Sequence, residues 1–405
     1  MISIEEARRR ILDNLPPLRK ERVGFQESLG RVLAEDLLAD MDIPPFDRAA
    51  MDGFAVRAAD VRAAPVELEL AGELRAGSDA VMTLEPGQAI AVTTGTPIPA
   101  GADAVQWLEN TQPSANAGRI RVQKPLEPGD NIVPRGAEAS HGTKVLSAGR
   151  TLGPQDLAVL ATFGRTQISV WQRPLVAVLV TGDELIEIHD TPRRGQIRNS
   201  NAYSLSAQVQ RMGIQPEYLG IVRDDPGELG CRIAEGLNRD VLIVSGGASV
   251  GKYDYLEAVL QERNVTILFS RVAVRPGKPT VFARQGNTLV FGLPGNPVSS
   301  FVSFENFVRP ALGRMCGYSK PDLFRVGGVL QEAMSQIPGR TAFLPAIARW
   351  DEGAWKIHPI PWKGSGDIIG FSQSNALVIF PGDRESMSPG EHVESLLLPD
   401  FFMRS

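Results

Sequence analysis

Three strongly apolar runs in one stretch of the chain each end in a glycine-rich turn. They read Val178-Leu179-Val180-Thr181-Gly182-Asp183-Glu184, then Val241-Leu242-Ile243-Val244-Ser245-Gly246-Gly247-Ala248-Ser249-Val250-Gly251, then Leu289-Val290-Phe291-Gly292-Leu293-Pro294-Gly295-Asn296-Pro297. Between and after them lie helical patterns: Asn201 to Met212 closed by Gly213, Leu229 to Leu237 after Asp224-Asp225-Pro226, Asp254 to Arg263, and a long stretch from Pro297 to Met315. Apolar strand alternating with helix is the signature of βαβ units. Right-handed crossovers then place helices on both faces of a parallel sheet. Ligands of such sheets bind outside the carboxyl ends of the strands. Glycine admits backbone N–H groups close to a phosphate, and a helix start adds a favourable dipole. Residues 169–318 therefore read as a phosphate-ligand platform with Asp183, Glu184 and Asp254 at its rim.

The 405 residues exceed one compact core and predict two to four domains. Residues 3–15 read as a helix, with Ser3 and Glu6 at capping-box spacing and Pro16-Pro17 as the stop. Gly153-Pro154 begins a second helix that ends at Gly164. These pieces suggest a discontinuous helical linker domain, 1–44 plus 137–168. Residues 45–136 carry short alternating runs (66–70, 89–93, 119–122) between Gly, Pro and Asn, as expected of an inserted β lobe. Residues 319–405 are again short-stranded, at 327–330, 354–360, 376–380 and 392–397, and predict a small β-barrel or sandwich. The fold class expected is α/β and β multidomain.

A net charge of −5 without a long basic run argues against a nucleic-acid groove. An acidic protein that binds an anion must gather its cations locally. Two distant cysteines and four scattered histidines offer neither a disulfide framework nor a structural zinc site. The N-terminus lacks a signal-peptide pattern and no apolar run reaches about 18 residues, so no membrane span and a cytoplasmic location are expected.

Several short strings are candidates for chemistry. Asp47 and Asp52, in Pro45-Phe46-Asp47-Arg48-Ala49-Ala50-Met51-Asp52-Gly53, could bind a hard cation, or Asp52 could simply cap its own turn. Thr94, in Thr93-Thr94-Gly95-Thr96-Pro97, offers a hydroxyl beside a tight turn. In the second glycine turn Ser245, Gly246, Gly247, Ser249 and Gly251 suit a phosphate cradle, with a spacing that is neither Walker A nor the dinucleotide fingerprint. Asp254 follows, as a ligand or a helix cap. Arg275-Pro276-Gly277-Lys278-Pro279 sets two cations around a rigid turn, a site for an oxyanion or a solvated loop. Pro294, Gly295, Asn296 and Pro297 lead into a helix whose first N–H groups could hold an anion or need capping. Lys363-Gly364-Ser365-Gly366-Asp367 presents a serine between glycines.

Taken together, the strings at 45–56, 94–101, 181–185, 245–255, 275–279 and 292–299 resemble, in order and over nearly the whole chain, the MoeA-type molybdopterin molybdenumtransferases, the family of the gephyrin and plant Cnx E domains. The resemblance implies a homodimer of four-domain subunits, one domain being like the stand-alone molybdopterin adenylyltransferase. It implies insertion of molybdenum from molybdate into adenylylated molybdopterin, with AMP released and Mg²⁺ assisting. It assigns catalysis to Asp52, Thr94, Glu184, Asp225 and Asp254, and the metal to Asp52, Glu184 and Asp254. It assigns substrate contacts to the second glycine turn, Arg275, Lys278, the turn Pro294 to Pro297, and Ser365. Molybdopterin adenylyltransferase and molybdoenzyme maturation proteins are the partners implied. Two other readings are a molybdopterin adenylyltransferase, which lacks the β lobe and the barrel, and a non-catalytic cofactor carrier. The chain departs from the family at Arg275, where many relatives carry Lys, at Glu138, where they usually carry Asp, and at Pro345, where they often carry Arg. Arg340 and Arg349 are the cations left to compensate for Pro345.

Overall fold

The computed structural model describes residues 1–247, 255–399 and 401. The chain divides into two compact units, Met1–Ala34 with Ile168–Ser405, and Glu35–Gln167.

The larger unit is built on a six-stranded sheet in the order Glu217–Val222, Val176–Thr181, Val241–Ser245, Thr288–Leu293, Val281–Gln285, Thr266–Phe269. The first four strands are parallel, as the apolar runs predict. The fifth strand pairs antiparallel with the fourth and the sixth antiparallel with the fifth, which the all-parallel expectation missed. The cause is local. Gln285 pairs with Thr288, so Gly286-Asn287 is a two-residue hairpin turn, and Gly286 takes the φ of +58° that such turns need.

Alternate strand residues feed two separate cores. Val176, Val178 and Ile243 pack on one face with Leu205, Val302 and Phe307. Ala177, Leu179 and Leu242 pack on the other with Leu229, Ile233 and Leu260. The helix Ile4–Asp13, capped by Ser3 Oγ on the Glu6 N–H at 3.1 Å, joins the first of these cores through Ile4, Ala7 and Ile11. Its apolar stripe thus packs on the α/β layer, while the helix Pro154–Thr162 lies in the smaller unit.

The long helix expected from Pro297 is continuous but not uniform. Pro297–Ser303 and Arg309–Met315 are α-helical, and Phe304–Val308 between them is a π turn. Pro310 explains the irregularity: it has no N–H to give the Asn306 carbonyl. That carbonyl instead accepts from the Arg8 guanidinium at 3.4 Å. Inside the π turn the fully buried Glu305 carboxylate pairs with Arg309 and accepts from Gln208 Nε2 at 2.9 Å.

The C-terminal strands Arg325–Leu330, Thr341–Asp351, Ala354–Pro359, Ala376–Phe380 and His392–Leu397 close into a small barrel, because Thr341–Asp351 pairs with both Ala354–Pro359 and Ala376–Phe380. That strand was not legible in the sequence, where Pro345 interrupts it. A short strand from the α/β region, Val274–Arg275, adds to it in parallel, Val274 opposite Thr341 and Arg275 opposite Ala342.

The smaller unit holds another six-stranded sheet, in the order Ala104–Trp107, Gly53–Val56, Gln88–Val92, Val66–Leu74, Arg119–Val122, Thr111–Pro113. Gly53 is required there, since a Cβ would stand 1.9 Å from the Gln106 carbonyl oxygen. Among the described residues no helix is long and apolar enough to cross a membrane.

Candidate functional site

The larger unit carries a cavity of about 840 Å³ between the turn at 275–279, the start of the helix at 297 and the barrel loops. It brings together residues far apart in sequence: Arg275, Lys278, Pro294, Asn296 and Ser365, all expected from the motifs. It is also lined by Arg340, Lys363 and Ser299, the last of which the motif reading did not assign. Four cations thus share one cavity with a single carboxylate, Glu385, among the described residues. None of the four cations is in a salt bridge among those residues. Like charges gathered in one cavity repel, so the cavity favours an anion. Arg349, the other cation offered in place of Pro345, is exposed on the strand Thr341–Asp351 and does not line the cavity.

The turn bearing Arg275 and Lys278 is clamped from two sides. Gly277, at φ +119°, lies against the helix that follows Pro297, where a Cβ would meet Ser303 Oγ at 2.5 Å. Thr280 Oγ1 donates to the Gly277 carbonyl at 2.7 Å. On the other side the strand pairing of Val274 with Thr341 ties the turn to the barrel.

The glycine turns serve the scaffold more than expected. The Ser245 hydroxyl is buried, accepts from Asn201 Nδ2 at 2.9 Å and donates to the Pro294 carbonyl at 3.3 Å, so it is not presented to a ligand. The Gly246 N–H donates to the Leu293 carbonyl at 3.1 Å. Its role is steric, since a Cβ would lie 2.2 Å from the Thr181 carbonyl oxygen. The Gly295 carbonyl accepts from Asn201 at 2.7 Å. The helix start after Pro297 is likewise occupied: the Val298 N–H donates to the Ser365 carbonyl at 3.1 Å, and Asn296 Nδ2 donates to Ser365 Oγ at 2.9 Å. The reason in each case is that a tight turn leaves backbone groups which must be paired somewhere, and neighbouring turns do it. Gly247, the last described residue of the second turn, takes φ +64°. Ser249, Gly251 and Asp254 lie outside the described residues.

The acidic rim stands at the carboxyl ends of the strands. Asp225 Oδ1 caps the helix Pro226–Gly236 through the Glu228 N–H at 2.8 Å. Asp224 accepts from Thr181 Oγ1 at 2.7 Å, and Asp183 from the Asp224 N–H at 3.2 Å. Glu184 is exposed, and its carboxylate has no hydrogen-bond or ion-pair partner among the described residues. In the smaller unit, Asp52 Oδ1 accepts from both the N–H and the hydroxyl of Thr94, at 2.7 and 2.9 Å. The backbone bond first, then the hydroxyl bond, lowers the Asp52 pKa below the ordinary carboxylate value. Glu138 accepts from Arg48 at 2.8 Å. Among the described residues no three His, Cys, Asp or Glu side chains gather into a metal cage.

A four-parallel-strand α/β layer joined to a closed barrel, with a cationic cavity at their seam, defines a multidomain anion-handling protein. Comparison with known proteins makes the class specific. Residues 2–164 match the MoeA N-terminal region (domain I and II), 177–314 a probable molybdopterin binding domain, and 328–398 the MoeA C-terminal region (domain IV). The chain is 35% identical over 404 residues to the molybdopterin molybdenumtransferase of Bacillus subtilis (strain 168), covering 98% of this chain and 94% of that one. It is 33% identical over 401 residues to that of Staphylococcus aureus (strain Mu50), covering 98% and 95%. A crystal structure of the molybdopterin biosynthesis MoeA protein of Pyrococcus horikoshii OT3 superposes with a TM-score of 0.83 at 33% identity, covering 98% of this chain and 100% of that one. The chain belongs to the molybdopterin molybdenumtransferase family.

Proposed function

We propose that this protein inserts molybdenum from molybdate into adenylylated molybdopterin, releasing AMP, as a cytoplasmic homodimer. The observation that carries the reading is the cavity in which Arg275, Lys278 and Ser365 meet, with no salt-bridge partner for either cation among the described residues. Molybdate is a dianion, and paired cations with a hydroxyl are the groups that hold one. Ser365 is prepared for this. Because Asn296 donates to its Oγ, the Ser365 hydroxyl proton is left to donate to a ligand oxygen. Arg275 and Lys278 neutralise the oxyanion, and the dithiolene of molybdopterin supplies the sulfur ligands, so the protein needs no cysteine at the cavity.

The carboxylates have the donor chemistry of a hard cation site: Asp52 is held anionic by Thr94, and the Glu184 carboxylate is exposed and unpaired among the described residues. We assign Asp52 in the smaller unit, and Glu184 and Asp254 in the larger, as carboxylates able to ligate Mg²⁺, which would offset negative charge on the departing AMP phosphate. Thr94 orients Asp52, and Asp225 holds the helix start beside the rim. Docking with a molybdopterin adenylyltransferase and with maturation proteins of molybdoenzymes belongs to the same reading.

The test is AMP release from adenylylated molybdopterin by the purified chain with and without molybdate. Molybdate-dependent AMP release, lost in Lys278→Ala, is expected. Pyrophosphate release from ATP and molybdopterin without molybdate would show an adenylyltransferase instead. Wild-type turnover in Lys278→Ala would remove the cationic cavity from the reaction.

A further inference from the structure

Arg275 and Arg340 come from different layers and are locked to each other's backbone. Arg275 Nη1 donates to the Ile337 carbonyl at 3.4 Å, three residues before Arg340. Arg340 Nη1 donates to the Val274 carbonyl at 3.4 Å, one residue before Arg275. The parallel pairing of Val274 with Thr341 and of Arg275 with Ala342 sets this reciprocal arrangement. A guanidinium has five N–H donors, so each clamp leaves most of its donors for the cavity. Two like charges are therefore held at one cavity, with no carboxylate in a salt bridge to either among the described residues. Without an anion the arrangement costs electrostatic energy, and with one it becomes a preorganised fork.

A second, independent feature points into the same space. Ser299 is 4% exposed, lines the cavity, and has no hydrogen-bond partner for its hydroxyl among the described residues. A hydroxyl with no protein partner can donate to or accept from whatever fills the cavity.

We propose that Arg340 and Ser299 are further binding residues for the tetrahedral dianion, Arg340 as the barrel's counterpart of Arg275 and Ser299 as the hydroxyl at the cavity wall. The assignment rests on the function proposed above and deepens it: the oxyanion is held jointly by the α/β layer and the barrel. It also decides between the two cations offered by the sequence in favour of Arg340, since Arg349 is not part of the cavity lining.

The experiment is calorimetric titration of the full-length protein with sodium molybdate, with thermal unfolding as a control for folding. Arg340→Ala is expected to weaken molybdate binding by about tenfold or more, as for loss of a charge-assisted hydrogen bond. Arg340→Lys restores part of it, since it keeps charge but not the fork. Ser299→Ala is expected to weaken binding by about fivefold, and Arg349→Ala to leave it unchanged. In steady-state assays Arg340→Ala raises the KM for molybdate more than it lowers kcat, a split that a purely structural role would not produce. Should Arg340→Ala misfold, Arg340→Lys and Ser299→Ala carry the test. Wild-type affinity in those variants, with Lys278→Ala losing binding, overturns the role of Arg340 and Ser299 alone. Wild-type affinity in Lys278→Ala as well overturns the oxyanion cavity itself.

Discussion

Asn296 Nδ2 donates to Ser365 Oγ at 2.9 Å, joining the third glycine turn of the α/β layer to a barrel loop 69 residues away. The neighbouring Val298 N–H donates to the Ser365 carbonyl at 3.1 Å, so one serine engages the helix start through both its side chain and its backbone. Two strings that look like separate ligand loops in the sequence are one seam.

The seam predicts coupling. Asn296→Ala and Ser365→Ala should each lower stability, and the double variant should lose less than the sum of the two. A hydrogen bond of this kind contributes about 0.5–1.5 kcal/mol, and a double-mutant cycle from urea unfolding measures the coupling. Strict additivity would show that the bond contributes nothing in solution.

Gly246 should tolerate no side chain. Its φ of +98° and the 2.2 Å approach of a Cβ to the Thr181 carbonyl oxygen combine strain with a clash against backbone. Gly246→Ala is expected to cost on the order of 3 kcal/mol. Gly247→Ala meets the Thr181 methyl at 3.1 Å and Leu256 Cβ at an ordinary 3.8 Å, and should cost about 1 kcal/mol, chiefly for its φ of +64°. Thermal unfolding of the two variants ranks them.

Asp52 titrates below the usual carboxylate range because the Thr94 N–H and hydroxyl both bond its anion. A folded-state value below the unfolded one adds stability above the unfolded pKa and loses it as the pH falls through the lowered folded value. Thr94→Val removes the hydroxyl bond and keeps the backbone bond. The Asp52 pKa, followed by carboxyl-carbon NMR, is therefore expected to rise part of the way to its ordinary value. An unmoved titration would mean that the hydroxyl bond is absent in solution.

Glu305 is buried inside the π turn with Arg309 and Gln208 as its partners. Removing one member of a buried ion pair leaves the other charge uncompensated, at a cost of about 3–5 kcal/mol. Glu305→Ala should show this loss in denaturant unfolding. The pair Glu305→Met with Arg309→Met should recover much of it, because it removes both charges.

The local chemistry was legible in the chain. The apolar runs announced the central parallel strands, Ser3 and Pro154 marked true helix starts, and Asp225-Pro226 placed the helix Pro226–Gly236. Each depends on residues within a turn or two of one another. The strand Thr341–Asp351 escaped because Pro345 breaks its pattern, although the barrel closes around it. The π turn was hidden because Pro310 shows only that one hydrogen bond is missing, not how the helix relaxes.

From sequence alone came the candidate ligand residues Arg275, Lys278, Asn296 and Ser365, and the family whose motifs their strings match in order. Only the tertiary structure decided that Ser245 and Gly246 spend their polar groups on the scaffold, and that Arg340 lines the same cavity as Arg275 while Arg349 does not. The physical reason is range. Turn and helix preferences act between neighbours, whereas a cation's partner or lack of one is set by strand register, and Val274 opposite Thr341 is a pairing between positions 67 residues apart.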